Sequence, residues 1–267
     1  MSSHQTSPSH RWVAGEWISE LEPVANETLV SIHVNQEKIT SLLASDNHLE
    51  ALYRGHLATE YDCIVQGQIK DYNVTRAEGT IELHGAISSF KPKVVREGIV
   101  TTSCSACDHD QLSSLLFDIP RVDEPQRKVT MESILDALSE MRKLQHGFQA
   151  TGGMHAAAIS LLHELTPTID VVCEEIGRHH AVDKALGEVL AMDEPSRPHV
   201  LFLSGRCGWD IVAKAARMNI PFIASIGAAS DLAVQAARMS NMTLITFVRN
   251  EKAVVFGRQD GRFQPKD

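Results

Sequence analysis

The chain is short of cysteine, aromatic side chains, basic charge and long apolar runs, and each shortage excludes something. Five cysteines in 267 residues, an odd number spread along a long chain, do not make a secreted disulfide framework. They suit a compartment that keeps thiols reduced, and the cytoplasm is expected. Lys and Arg number 25 against 34 Asp and Glu, a formal charge of −9. A general nucleic-acid binder needs a basic face, so that class is excluded. Small anionic ligands are not, because a few clustered arginines can hold phosphate locally. No run approaches the ~18–20 apolar residues of a membrane-spanning helix, and the polar start Met1-Ser2-Ser3-His4-Gln5-Thr6-Ser7-Pro8 lacks a signal peptide's apolar centre. Aromatics make up only 5%, yet apolar residues reach 43%, so a sizeable core must be mostly aliphatic.

What is present divides the chain in three. Residues 1–22 read as a partly ordered lead that Trp12 and Trp17 pin to the body. Residues 23–125 read as a β-rich region. Within it, Glu27-Thr28-Leu29-Val30-Ser31-Ile32-His33-Val34 alternates as a strand and turns at Asn35-Gln36 into a second strand over 39–43. Asp46 or Asn47 then caps a helix to about residue 59, with Leu49, Leu52, Tyr53, His56 and Leu57 on one face. Strands follow over 69–74 and 80–84. A charged linker over 120–128 leads to an α/β domain over 126–267. It begins with a helix over 130–146 carrying Met131, Ile134, Leu135, Leu138, Met141 and Leu144 at helical spacing. Strands over 168–173, 199–203, 221–225 and 243–248 alternate with helices over 179–190, 209–218 and 230–239. A hairpin partner for the last strand is expected over 253–256. That alternation predicts a mostly parallel sheet covered by helices.

Two cysteines stand at Cys-x-x-Cys spacing in Thr101-Thr102-Ser103-Cys104-Ser105-Ala106-Cys107-Asp108. Small, hydroxylated neighbours predict a loop presenting thiols for metal ligation, disulfide exchange or carrying sulfur. Zinc would need two further ligands. There is no second such pair, although His48-Leu49-Glu50 supplies the upstream His-x-Glu of the zinc deaminases, with Ser103 where their signature has proline. A thioredoxin-like pair belongs in a strand-to-helix turn of a βαβ unit, and this pair lies outside the α/β region.

In an open α/β sheet, ligands bind beyond the carboxyl ends of the strands. Glu174-Glu175-Ile176-Gly177-Arg178-His179-His180 and Ser204-Gly205-Arg206-Cys207-Gly208 each follow a strand, open a helix and pair a glycine with an arginine, a combination suited to phosphate. Thr151-Gly152-Gly153-Met154-His155 precedes what reads as a small-residue helix at Ala156-Ala157-Ala158-Ile159, and Arg249 ends the last strand. Arg178, Arg206 and Arg249 are therefore expected on one rim. The competing reading pairs Arg178 and Arg206 with Glu174, Glu175 or Asp210 to stiffen their loops.

Taken in order, Thr101-Thr102-Ser103-Cys104-Ser105-Ala106-Cys107, Thr151-Gly152-Gly153-Met154-His155-Ala156-Ala157, Gly177-Arg178-His179-His180-Ala181-Val182-Asp183-Lys184 and Ser204-Gly205-Arg206 resemble the formate dehydrogenase accessory sulfurtransferases, the FdhD/NarQ family. The resemblance implies a cytidine-deaminase-like three-layer α/β/α domain beside the smaller β-rich region. It implies a sulfurtransferase, a carrier that accepts a persulfide from a cysteine desulfurase. The sulfur passes to molybdenum cofactor, held as the bis-molybdopterin guanine dinucleotide, for formate dehydrogenase. The cofactor is then a bound substrate, no resident metal is expected, and a homodimer is. By position, Cys104 and Cys107 match the persulfide-bearing cysteine and its partner. The stretch Phe247, Val248, Arg249, Asn250, Glu251 and Lys252 matches the family's cofactor-binding segment. Arg178, Arg206, Gly153 and His155 are further candidates for cofactor contact. Ser105 and Asp108 stand where the family commonly has glycine, His180 replaces an asparagine, and Cys207-Gly208 replaces an apolar–serine pair. A zinc-dependent deaminase-like hydrolase and a non-catalytic cofactor chaperone are the alternatives.

Overall fold

The computed structural model describes residues 4–61, 63, 69–77, 79–88, 90, 116, 119–162, 167–193 and 197–264. It opens with a hairpin of β1 (His4–Val13) and β2 (Glu16–Ala25), antiparallel along their whole length. This corrects the expectation of a partly ordered lead. Ala14 and Gly15, both at positive φ, make the tight turn that suits the twist of a hairpin. Trp12 and Trp17 pack on each other across that turn, ring centroids 5.1 Å apart, and stay exposed. They pin the hairpin to itself and not to the body. Its strands are rich in Ser, His and Glu, so no apolar alternation announced them.

The strands expected over 27–34, 39–43, 69–74 and 80–84 form. β3 (Thr28–Val34), β4 (Glu37–Ala44), β5 (Lys70–Ala77) and β6 (Thr80–Ala86) make a sheet of order β4-β3-β6-β5, with β3 and β6 parallel at its centre. Val30, Ile32, Val34, Ile81 and Leu83 cover α1 (Leu49–Tyr61) through Leu49, Leu52, Tyr53 and Leu57. The alternation of β3 and the 3.6-residue spacing of α1 both aim at this one core.

The second half builds a six-stranded sheet. Its strands are β7 (His155–Leu161), β8 (Val171–Glu175), β9 (Pro198–Leu203), β10 (Phe222–Ser225), β11 (Thr243–Arg249) and β12 (Lys252–Gly257), in the order β12-β11-β10-β9-β7-β8. One face carries α2 (Met131–Lys143), whose Ile134, Ala137, Leu138 and Met141 are buried on it, as the Met and Leu stripe predicts. The other carries α4 (Arg178–Leu190), α5 (Trp209–Arg217) and α6 (Asp231–Met239). Between α2 and β7 a short helix, α3 (His146–Thr151), ends on Gly152 at φ 66°, so the expected single helix over 130–146 is broken near Leu144. The layering is α/β/α, an α/β fold.

Two expectations are corrected here. Ala156-Ala157-Ala158-Ile159 is not a helix but the middle of β7, buried on both faces. A strand covered on both sides loses its alternation, and four small residues cannot be told from a helix segment by period. The sheet is also mixed. β9, β10 and β11 are parallel, whereas β7 runs against both β8 and β9, and β12 against β11. Among the described residues no helix is long and apolar enough to cross a membrane.

The two halves meet where α1 lies across α4 almost backbone to backbone. A Cβ on Gly55 would stand 1.8 Å from the Asp183 carbonyl oxygen, and one on Gly187 1.8 Å from that of Ala51. Only glycine fits either place. Around this crossing lies a polar clasp. Lys184 Nζ contacts Glu175 and donates to Asn47 Oδ1 (2.6 Å) and Ser45 O (3.2 Å), while Glu175 accepts from the Ser45 amide and hydroxyl. Asp183 accepts from Thr59 Oγ1 and Lys214 Nζ, both at 2.7 Å, and Lys214 also reaches Glu60 at 2.5 Å. Burial alone would push Asp183 up, but Lys214 and then His56 hold it far below the usual carboxylate range. Ile119 and Val122, in and beside the stretch expected as a linker, are buried in the α/β core.

The same burial makes the fold sensitive to mild acid. His199 is 6% exposed, its ring lies edge-on to Phe222, and burial lowers its pKa from 6.5 to about 4. The folded state therefore favours the neutral ring. The stability this gives is fully present above pH 6.5 and is lost as the pH falls towards 4, at about 1.4 kcal/mol per pH unit. Urea denaturation at several pH values should show a slope in this direction, and His199→Leu should make it shallower by the share His199 contributes. Equal slopes in both proteins would mean that the ring protonates in the fold.

Candidate functional site

The mixed topology still gathers the candidate loops on one rim. The carboxyl ends of β8, β9, β10 and β11 lie there, and because β7 is antiparallel its first residue, His155, lies there too. The register places His155 opposite Glu175 and Ala157 opposite Leu203. The loops after β9 and β10 are zipped together. The Cys207 amide donates to Ala228 O (2.9 Å), the Ser230 amide to Cys207 O (3.1 Å), and Ser225 Oγ to Gly205 O (2.5 Å). A Cβ on Gly205 would stand 3.0 Å from His155 Nδ1, so a side chain there would press the imidazole out of its place beneath the loop. Farther along, the Phe247 amide donates to Gly227 O at 3.0 Å. His155, Gly205, Gly227 and Phe247 thus form a row across β7, β9, β10 and β11, roughly 15 Å long at the usual strand spacing.

Two arginines stand at this rim, Arg178 within the field of Asp210 and Arg206 without an acid partner among the described residues. Arg178 is the first residue of α4, half-buried, with its Nε enclosed and unpartnered. Arg206 is exposed on its loop. The reading that pairs them with acids keeps support for Arg178, whose charge acts on Asp210, while Glu174 and Glu175 are engaged elsewhere. Glu174 accepts from the Gly147 and Phe148 amides at 2.7 and 2.8 Å, capping α3. Glu175 holds Lys184, and Asp210 contacts His179. No ion pair joins Arg178 or Arg206 to any described residue. His155 lies within the field of both: burial first, then Arg178 and Arg206, lowers its pKa and keeps the ring neutral. The first turn of α4 carries no acid, so its outward amides add to the positive character of this corner.

The other expected positions distribute as follows. Phe247 is 40% exposed at φ 53°, at the irregularity where the β11–β12 register shifts. Val248 is buried in the α2-side core, where its side chain packs the sheet. Arg249 and Lys252 are paired in register across the turn, and Asn250 and Glu251, at φ 50° and 58°, form the turn itself. This turn lies beyond β10, two strand spacings from the Arg206 loop. Gly153 is exposed between α3 and β7. His179 and His180 are buried behind the rim. His180, which stands for an asparagine, faces the clasp near Asp183 and His56. Cys207 is 1% exposed, buried as the apolar residue it replaces. Neither departure reaches the rim. Of the deaminase-like trio, His48 Nδ1 lies 2.6 Å from Glu188 and Glu50 pairs with Arg54. Cys104 and Cys107 lie outside the described residues.

The chain matches the family model described as FdhD/NarQ over residues 25–262. It belongs to the FdhD/NarQ family. Among the family's proteins named sulfur carrier protein FdhD, that of Shewanella oneidensis is 32% identical over 237 residues, 87% of this chain and 84% of that protein. That of Mycolicibacterium paratuberculosis is 30% identical over 264 residues, 92% and 94% of the two chains. With the Thermoplasma acidophilum protein, 34% identity extends over 166 residues, 57% of that protein. The fold is shared with a solved structure from Desulfotalea psychrophila, assigned as a candidate formate dehydrogenase accessory protein, at TM-score 0.75 and 23% identity over 98% of this chain. Sequence reasoning missed Ser225 and Gly227, which join the FdhD/NarQ chain's rim loops. The signal was a third strand-to-helix loop with a glycine, passed over because it carries no arginine. It also missed the clasp: Ser45 and Lys214 drew no notice, while Glu175 and Lys184 lay inside quoted stretches without their pairing being seen.

Proposed function

We propose that the chain is a persulfide carrier that takes sulfur from a cysteine desulfurase onto Cys104. It passes that sulfur to molybdenum cofactor, bound as the bis-guanine dinucleotide, for formate dehydrogenase. One observation carries the reading: the three thiols of the described residues are poorly suited to the task. Cys173 and Cys207 are buried, and burial pushes Cys173 to about 12 and Cys207 further still. Cys63 is half-buried and likewise raised. A thiol must ionise to attack, so sulfur chemistry is left to Cys104 and Cys107. In the transfer, the Cys104 thiolate attacks the outer sulfur of the donor's persulfide. A new S–S bond forms on Cys104, the donor's S–S bond breaks, and the donor's cysteine leaves as thiolate.

The rim fits the acceptor. Arg206 offers an unpaired guanidinium group to a diphosphate, with Arg178 and the neutral ring of His155 nearby. Phe247 presents an exposed ring of the kind on which a base stacks. A homodimer in the cytoplasm is part of this proposal. GDP should therefore bind, and calorimetry should show Arg206→Ala weakening it by about 1.5–3 kcal/mol, the scale of a charge-assisted hydrogen bond. Equal affinity in both proteins, or no binding to either, would count against the rim as the cofactor site. The carrier step has its own test, the gain of one sulfur in mass after incubation with a desulfurase and cysteine. A parent chain that gains nothing would refute it.

A further inference from the structure

On the face of the four-stranded sheet turned away from α1, three donors converge that no part of the sulfur chemistry uses. β3 and β6 are parallel neighbours with His33 directly opposite His84, and Glu82 precedes His84 by two residues on the same face. The side chains alternate with Ile32, Val34 and Leu83, which are committed to the α1 core, so backbone register fixes the three together. Their ligand atoms all lie within 4.8 Å of one another, and His84 Nε2 stands 3.3 Å from Glu82 Oε2. The two imidazoles are 4.5 Å apart, centroid to centroid. A tetrahedral ion with bonds of about 2.0–2.1 Å holds neighbouring ligand atoms roughly 3.3 Å apart, which the Glu82–His84 pair matches.

A second observation points the same way. His33 Nε2 is enclosed and has no hydrogen-bond partner, and an orphaned buried polar atom calls for an explanation. We propose that His33, Glu82 and His84 bind a divalent transition-metal ion of the zinc class, leaving a fourth position open. Two imidazoles and one carboxylate are a donor set for Zn, Co or Ni ions rather than for Mg or Ca. Lys38, opposite His33 on β4, works against a cation, and Glu82 offsets it. The site shares no residue with the deaminase-type reading of His48, Cys104 and Cys107. Its ion would bridge strands about 50 residues apart in sequence, the parallel pair at the sheet's centre.

The test uses the full chain carrying Cys104→Ser and Cys107→Ser, so that those thiols cannot compete, after stripping with a chelator. Calorimetry with zinc chloride should show one ion per chain, and zinc should raise the melting temperature. His84→Gln and Glu82→Gln each leave the α1 core untouched and should melt as the parent does without zinc. Each should weaken zinc binding roughly tenfold or more and lose the zinc-dependent rise. No stoichiometric binding to the parent, or binding of equal strength in both variants, would overturn the proposal. Cobalt separates the remaining candidate, because an ion on His48, Cys173 and Glu188 would show a thiolate-to-cobalt absorption band. An ion on His33, Glu82 and His84 would not, and such a band would refute the assignment.

Discussion

A Cys104→Ala variant is expected to gain no sulfur when incubated with a cysteine desulfurase and cysteine, while the parent gains about 32 Da, one sulfur atom. Formate dehydrogenase maturation should fall with it, and the fold should persist. The expectation rests on what the other thiols cannot do. Two are buried and strongly raised in pKa, and Cys63 is raised as well. Of the remaining pair, Cys107 is followed by Asp108, whose charge disfavours a thiolate, whereas no acid adjoins Cys104. Cys63→Ser, Cys173→Ala and Cys207→Ala should keep the adduct. Mass spectrometry of intact protein reads the outcome. Parental sulfur loading on Cys104→Ala would move the carrier role to another residue.

The largest loss of stability is expected from Glu175→Ala. Glu175 and Lys184 both have fully buried side chains, and the lysine's other partners, Ser45 and Asn47, are neutral. Removing the carboxylate strands an ammonium in the interior and orphans the Ser45 amide, at a cost of about 3–5 kcal/mol. Against a total of about 5–15 kcal/mol for an ordinary domain, that is a large share. Adding Lys184→Met should recover part of the loss, because the stranded charge is then gone. Urea denaturation at neutral pH measures both. A loss below about 1 kcal/mol from Glu175→Ala would mean that water reaches the pair.

What could be read from the sequence was whatever repeats locally. The stripe of α2, the apolar face of α1 and the alternation of β3 each carry their own period, and each was found where expected. The failures are equally physical. β7 is sheathed on both faces and rich in alanine, so its period vanished, and the β1–β2 hairpin is held by a turn and a tryptophan pair, not by an apolar face. The clasp was illegible for another reason. Ser45 and Glu175 are 130 residues apart, and a Lys or Glu in a helix or strand pattern looks solvent-facing until its distant partner is known. The motif running from Gly177 to Lys184 shows both cases. Its first two residues were read as ligand chemistry and do sit on the rim. Its last two, Asp183 and Lys184, join the halves of the molecule.

That junction sets a leash length. Phe90 packs into the core of the four-stranded sheet and Leu116 against that of the six-stranded one. The clasp between α1 and α4 makes both anchorages part of one body. Cys104 is twelve residues from Leu116, and a fully stretched chain covers at most about 3.5 Å per residue. If Cys104 carries the sulfur as proposed, chain length alone keeps that sulfur within roughly 40 Å of Leu116. On that proposal, the donor would have to bring its sulfur inside that sphere, and the acceptor would have to be seated within it too.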